Sequence, residues 1–326
     1  MNTTVKQTRI EVMNLIGQSV DQIASDYLKP IETNWQASEL LPLTSDTTFI
    51  SDLKDIQEQA QNHSYDLLAV LVADTITEEA LPTYESWLSG LVGVDQVGNN
   101  GWMKWMRSWA AEENRHGDVL NRYLFLCGRI NMREFEASTQ YLIADGFDNG
   151  AANDPYRNFV YTSFQEMATN VSHRRVATLA KQDGNSILSK LCGFVAADEA
   201  RHAKAYKTFV SRIMELDPNE MMLAFEDMMR KKIAMPSQCL RELGGKLNSF
   251  SNFSDAATRL GVYTSLDYVE ILRTLIDDWQ IENVRGLMEN GEKARDYLMA
   301  LPDRLARIAE RMRVPTTEYK FGWILA

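Results

Sequence analysis

Glu113 and His116, in the stretch AEENRHGDVL at 111–120, stand three places apart in a segment with no proline and little glycine. On a helix they lie about 60° apart around the axis and project from one side. One such pair is either a metal grip or an ordinary contact on a wet face. A second copy exists. AADEARHAKAY at 196–206 sets Glu199 and His202 at the same spacing, so two of the four histidines follow a glutamate by three places.

Each pair has one more glutamate upstream on its own helical stretch. Glu78, in TITEEALPTY, precedes Glu113 by 35 residues, and Glu166, in YTSFQEMATN, precedes Glu199 by 33. Either spacing suits an antiparallel neighbour with a connecting loop, and the two halves are offset by 86 to 88 residues. Four antiparallel helices then bring four carboxylates and two imidazoles to one centre. In a dry core each carboxylate would be heavily penalised or would take up a proton. Two divalent metals supply the missing charge and bring four negative charges to neutrality. Mixed carboxylate and imidazole donors favour iron or manganese in a helical bundle, whereas a lone zinc uses fewer ligands. Glu79 and Glu112 point about 100° away from the neighbouring candidates and stay outside the ligand set. His63 and His173 lack a glutamate three places before them and read as surface or packing residues.

The elements that must hold these groups are helices. Ile10, Met13, Ile16, Val20, Ile23 and Tyr27 recur at helical intervals in a stretch ended by Pro30. Similar patterns predict helices near 51–62, 64–91, 101–131, 133–143, 155–183, 186–216, 219–234, 265–282 and 290–312. Strand-like alternation is nearly absent. LDPNE at 216–220 predicts a helix start, with Asp217 as cap, Pro218 in the first turn and Glu220 completing a capping box. Gly, Asn and Asp content marks 145–154, 183–185 and 241–252 as loops, none long or biased enough for a domain linker. The expectation is one all-α domain over 1–326. Pro82, four residues after Glu78, should displace a helical hydrogen bond and bend the chain beside a ligand.

Composition narrows the field. Forty-five per cent apolar residues and seven tryptophans give a folding chain. The apolar run LLAVLVA at 67–73 is far too short to cross a bilayer, and the polar start MNTTVKQTR resembles neither a signal core nor a transit segment, so the expectation is a protein that is not transmembrane and works where it is made. A net charge of −11 argues against nucleic acid as a partner. Cys127, Cys192 and Cys239 show no paired spacing and read as small buried apolar residues.

At these residues the chain resembles the soluble acyl-carrier-protein desaturases, the stearoyl-ACP desaturase family of plant plastids. DTITEEALPTY, WAAEENRHGDVLNRYL, YLIADGF, PYRNFVYTSFQE, AADEARHAKAY, LAFEDMMRKKIAMP and RLGVYTSLDY carry the resemblance in that order, over roughly residues 20–326 and including the terminal FGWILA. The resemblance implies a ferritin-like helical bundle with additional helices, normally a homodimer. It implies a centre of two iron ions, with Glu78 and His116 on one, Glu166 and His202 on the other, and Glu113 and Glu199 bridging. It also implies the reaction: a cis double bond, of Δ9 type, made in a saturated acyl chain on acyl carrier protein, using O₂ and two electrons from ferredoxin. Unactivated methylenes offer no acid for a side chain to exploit, so a cofactor must do that oxidation.

Thr169 matches a family threonine thought to assist oxygen chemistry, or bonds back to a helix carbonyl. Asp198 and Trp35 match positions proposed to link the surface to the iron through His116; alternatively Asp198 pairs with Arg201 and Trp35 only packs. The acyl channel is expected along Trp87, Leu88, Gly90 and Leu91, with Trp87 in place of a slimmer residue in plant members and shortening the channel, or else packed in a helix interface. Met167 stands where plant relatives carry arginine. Arg230, Lys231 and Lys232, or Arg174 and Arg175, offer a basic dock for the acidic carrier protein, or are solvated charges. The compartment is left open between a bacterial cytoplasm, towards which the missing transit segment leans, and plastid stroma for a mature plant-type form. A ferritin-like iron store and another di-iron oxygenase are the competing readings; the long stretch after His202 favours the desaturase.

Overall fold

Three of the four central helices begin on a side chain that caps their first turn. The computed structural model describes residues 3–94, 101–244, 249–316 and 318–325. In chain order the helices are α1 (Thr3–Gly17), α2 (Val20–Tyr27), α3 (Phe49–Ala60), α4 (Tyr65–Glu79), α5 (Leu81–Leu88), α6 (Gly101–Cys127), α7 (Met132–Asp145), α8 (Pro155–Gln182), α9 (Ser186–Leu216), α10 (Pro218–Lys231), α11 (Ser249–Leu260), α12 (Ser265–Asp278) and α13 (Glu289–Ala309). Among the described residues the only strand-like pairing is an isolated bridge between Ile130 and Ile324, and no helix is long and apolar enough to cross a membrane.

The centre is built from α4, α6, α8 and α9. Ser64 caps α4 by accepting from the Leu67 amide, Asp154 caps α8 ahead of Pro155, and the Asn185 side chain caps α9. The three residues between α8 and α9 contain Gly184 at φ +82°, which lets the chain reverse and lay the two long helices side by side. α4 is buried on nearly every side from Leu67 to Glu78, because α6, α8 and α11 all pack against it. Two apolar clusters flank the centre, one mainly aliphatic around Leu67, Leu120 and Leu191, the other rich in aromatic rings around Trp105, Phe159 and Phe209.

Four sequence expectations change. The stretch 64–91 is two helices, broken at Ala80, where Pro82 denies the Glu78 carbonyl its partner and the Ala80 carbonyl is taken by Thr83. The first amphipathic stretch is interrupted between Gly17 and Val20, where the Trp102 indole takes the Met13 carbonyl. Asp217 and Glu220 form no capping box: both carboxylates face the buried Arg9, at 3.3 and 3.5 Å, and Asp217 also accepts from the Tyr156 hydroxyl. Finally, the end of the loop read over 241–252 is already helix. α11 begins at Ser249 and packs Ala256 and Ala257 on α4, while Arg259 clasps Asp66; positions 245–248 lie outside the described residues.

Candidate metal centre

Glu78 from α4, Glu113 and His116 from α6, Glu166 from α8, and Glu199 and His202 from α9 converge, all buried. Their donor atoms form two overlapping groups. Glu78, Glu113, His116 and Glu199 make one; Glu113, Glu166, Glu199 and His202 make the other; within each, the donors lie within 4.8 Å of one another. Glu113 and Glu199 belong to both.

The donor atoms lack ordinary partners. Nδ1 of both imidazoles, one oxygen each of Glu113, Glu166 and Glu199, and Nε2 of His116 are buried without a hydrogen bond. Both Nδ1 atoms face carboxylates: His116 stands 3.0 Å from Glu199, and His202 stands 2.6 Å from Glu113. Orphaned donors crowded this closely cost free energy unless a cation sits among them. Burial and the neighbouring Glu113 and Glu199 push the Glu166 carboxyl well above its usual range. For Glu78 burial acts the same way, but His116 and His173 outweigh it and hold the group down at about 2. Unequal carboxylates in one dry site are what missing positive charge produces. The side chains fit a pair of divalent metals, with Glu113 and Glu199 shared.

Acidic side chains face the outer nitrogen of each imidazole. Asp198 Oδ2 lies 3.5 Å from His116 Nε2 and accepts from Trp35 Nε1 at 2.9 Å. The Trp35 ring lies parallel to His116, with centroids 6.2 Å apart. Asp198 also binds Arg201 at 2.5 Å, and it is buried, not a surface partner. Glu112 is buried, and its Oε2 lies 3.0 Å from His202 Nε2. Arginines cross between the helices: Arg115 of α6 binds Asp198, and Arg201 of α9 binds Glu112. Glu112 and Asp198 thus hold equivalent places. The sequence carried the sign in EENRH and DEARH, which repeat an acid, Glu, any residue, Arg and His in that order.

His173 is a correction. It is buried with Nε2 2.8 Å from Glu78 Oε1, one further turn along the face of α8 that carries Glu166 and Thr169. The spacing 166, 169, 173 was the available signal. His63, by contrast, packs as expected among Asp183, Tyr123 and Asn185. Thr169 has three acceptors within reach of its hydroxyl: the carbonyls of Gln165 and Glu166 and, at 2.5 Å, Glu199 Oε2. Glu79 turns outward to Asn121 and Thr139.

Beside Glu78, Thr169 and His173 opens a cavity of about 190 Å³. Its far wall is apolar, with Phe164, Ile233, Met235, Ala257 and Tyr268. None of the four residues expected to line the channel belongs to it. Leu88 and Leu91 pack in the core, while Trp87 and Gly90 border a separate cleft of about 170 Å³ with Asp148 and Asn149. Met167 edges a surface cleft beside Arg174, Arg175 and Lys204. Arg230 and Lys231 each pair with an acid one turn earlier, Glu226 and Asp227, and Arg175 pairs with Asp267. Lys232 ends α10 at φ +66° and is exposed. Cys127 and Cys192 are buried, but Cys239 is exposed in the short turn Pro236–Cys239.

Comparison with known proteins agrees with this geometry. Residues 8–325 match the family described as fatty acid desaturase. A chloroplastic stearoyl-[acyl-carrier-protein] 9-desaturase of Spinacia oleracea is 45% identical over 98% of this chain and 82% of its own length. Its counterpart 1 in Arabidopsis thaliana is 46% identical over 95% of this chain and 80% of its own. An X-ray structure of DesA2 from Mycobacterium tuberculosis H37Rv, assigned as an acyl-ACP desaturase, shares the fold with a TM-score of 0.52 at 16% identity, covering 88% of this chain and 98% of that one. A buried double cluster of glutamate and histidine, borne on four helices and matched to that family along almost its whole length, makes this chain a member of the fatty acid desaturase family.

Proposed function

We propose that the protein is an acyl-[acyl-carrier-protein] desaturase that binds two iron ions and introduces a cis double bond, of Δ9 type, into a saturated acyl chain. The observation that carries this reading is the sharing of Glu113 and Glu199 between two groups of buried donors. In the proposed arrangement Glu78 and His116 hold one iron, Glu166 and His202 the other, and Glu113 and Glu199 lie between. The bound iron pair supplies O₂ activation. Two hydrogens leave the acyl chain, two electrons come from a ferredoxin, two protons come from solvent, and two waters form.

The chain's own groups prepare the place. Thr169 holds Glu199 Oε2 by its short hydroxyl bond, which leaves the other oxygen directed at His116. His173 holds Glu78 from the cavity side. The cavity beside them brings apolar walls, Phe164 and Tyr268 among them, to the donors and supports entry of an acyl chain there. Trp35, Asp198 and His116 form a continuous contact from the N-terminal segment to the centre, which supports electron entry on that side. The assembly is proposed to be a homodimer, as in the resemblance, and sedimentation tests it.

The deciding experiment incubates the iron-loaded protein with acyl carrier protein bearing a stearoyl or palmitoyl chain, reduced ferredoxin and O₂. Mass spectrometry of the released fatty acid should find a monounsaturated product in the wild type and none with Glu199→Ala. Iron uptake without any unsaturated product would favour an iron store and defeat the proposal.

A further inference from the structure

Trp102, Trp105 and Trp109 fall at intervals of three and four on α6, and the same face continues to Glu113 and His116. They lie between the donor cluster and the N-terminal end of α6. Their rings join through α9. Trp109 donates its indole N–H to Glu166 at 3.2 Å and meets Tyr206 edge-on, centroids 6.0 Å apart. Trp105 donates to the Tyr206 hydroxyl at 3.4 Å, with ring centroids 5.5 Å apart. Trp105 and Trp102 both pack on Phe209, at 5.1 and 5.0 Å. At the outer end Trp102 donates to the Met13 carbonyl, and a Cβ on Gly17 would come within 3.1 Å of its indole nitrogen. The ring is buried, stacks on Phe159 with centroids 5.5 Å apart, and lies beneath the α1–α2 turn, whose Gln18 is exposed.

Simple space filling accounts poorly for this row. The C-terminal half of α6 meets the core with Val119, Leu120 and Leu124 and with two residues that bring a polar atom, Tyr123 and Cys127, but with no indole. Each tryptophan in the N-terminal half buries an N–H that must find an acceptor. The first acceptor is a carboxylate of the donor cluster itself. Indole is also among the most easily oxidised side chains, and phenylalanine and aliphatic residues are far harder to oxidise.

We infer that Trp109, Tyr206, Trp105 and Trp102 form an electron path between the α1–α2 turn and the centre, which completes O₂ reduction when no acyl chain is bound. The inference rests on the O₂-using reading above. Reduction of one O₂ to two waters takes four electrons and four protons. In desaturation two electrons come from the donor protein and two, with two protons, from the acyl chain. With no acyl chain, the second pair travels inward one electron at a time. Trp109 gives up an electron and becomes an indole radical cation; Trp105 refills it across Tyr206, and Trp102 refills Trp105. A thiol reductant in solution refills Trp102 by electron transfer across the covering α1–α2 turn. Two thiols end as one disulfide and release two protons, and solvent supplies the other two. The indoles keep their N–H protons throughout. Tyr206 serves as a bridge, since its hydroxyl accepts from Trp105 and makes no hydrogen bond to another described residue that could take its proton.

The test uses iron-loaded wild type, Trp105→Phe, and Trp323→Phe as a control in which a buried tryptophan outside the row undergoes the same change. Each is reduced with dithionite and exposed to O₂ over repeated cycles, with glutathione and without acyl substrate. Freeze-quenched electron paramagnetic resonance reads indole radicals, and peptide mass analysis maps oxygen adducts. Wild type and Trp323→Phe should show an indole radical and adducts on Trp102 and Trp105. In Trp105→Phe adducts should shift to Trp109, His116 and His202, with faster loss of iron. An adduct map in Trp105→Phe identical to wild type at the remaining positions overturns the inference. Should Trp105→Phe fail to fold, Trp102→Phe takes its place, and adducts should then stop at Trp105. Product formation from acyl carrier protein is assayed in parallel: its absence in the wild type defeats the desaturase reading, while the adduct map judges the path.

Discussion

Glu112 Oε2 stands 3.0 Å from His202 Nε2, and so occupies on the second imidazole the place that Asp198 occupies on the first. Burial alone would raise the Glu112 carboxyl, but His202 and Arg201 outweigh it and hold the group at about 2, so it stays an acceptor at any working pH. An imidazole anchored through one nitrogen presents the other in a fixed direction. Glu112→Gln and Asp198→Asn should therefore each weaken iron binding by about tenfold to a hundredfold. Competition with a calibrated chelator measures this, and an unchanged affinity in Glu112→Gln would refute the role.

The two shared carboxylates predict a different pattern. Without metal, Glu113, Glu166 and Glu199 crowd one dry space, so a divalent cation should stabilise the fold by binding the native state alone. Iron, or manganese as a redox-silent substitute, should raise the melting temperature of the metal-free protein in a concentration-dependent way. Glu199→Ala removes a donor from both groups and should abolish most of that rise. A full rise in Glu199→Ala, read by differential scanning fluorimetry, would show that the shared position is dispensable.

The convergence of six donors is legible because a repeated spacing on long helices fixes which side chains share a face, and six ionisable groups in a core admit few explanations. Long-range closure is not. His173 reaches Glu78 across 95 residues of chain, and nothing within three places of it announces a partner. Glu112 points away from Glu113, yet on a central helix that other direction also meets a buried neighbour, His202 of α9. α11 was missed because serine and asparagine mimic a loop; its helix forms against α4, so tertiary packing overrides local preference there.

Asp74 gives a test by pH. It lines the cavity, accepts from Ser172 at 2.8 Å and faces His173 and Glu78. Burial raises its carboxyl to about 6. A carboxyl raised on folding leaves the native state holding more protons than the unfolded chain between about pH 4 and 6, so stability falls as pH rises through that window. Asp74→Asn removes the cost. The variant should be more stable than wild type at neutral pH by about 1–2 kcal/mol, allowing for solvent screening at the cavity wall, and the gain should vanish near pH 4. Denaturant melts at both values check it, and equal gains at both would refute the assignment.

Docking of the carrier protein is testable by salt and by single charges. Arg230 and Lys231 already neutralise Glu226 and Asp227, so their loss should change little, whereas Lys232 is exposed and pairs with no acid among the described residues. Lys232→Glu should raise KM for acyl carrier protein several-fold at low salt, with the difference shrinking as salt screens it, and Arg230→Ala should not. Salt-independent KM in wild type would move the dock elsewhere.

Trp87 bears on chain length. Between it and the centre stands Tyr84, which shares a small space with Glu78, Glu113 and Trp109 and lies 5.1 Å from the Trp87 ring, centroid to centroid. On its other side Trp87 meets Tyr161 edge-on at 5.5 Å, and its indole nitrogen is buried without a partner. An acyl tail that passes the centre toward this end runs into that aromatic group. Trp87→Met exchanges a rigid double ring for a slim flexible chain and should admit a longer tail. Wild type should prefer palmitoyl over stearoyl carrier protein, and Trp87→Met should shift kcat/KM toward stearoyl by about tenfold, the scale set by a methylene or two in an apolar pocket. Because the nitrogen makes no hydrogen bond, the change leaves no buried acceptor stranded and should cost little stability. A stearoyl preference in wild type that persists unchanged in Trp87→Met would place the end of the acyl tail elsewhere.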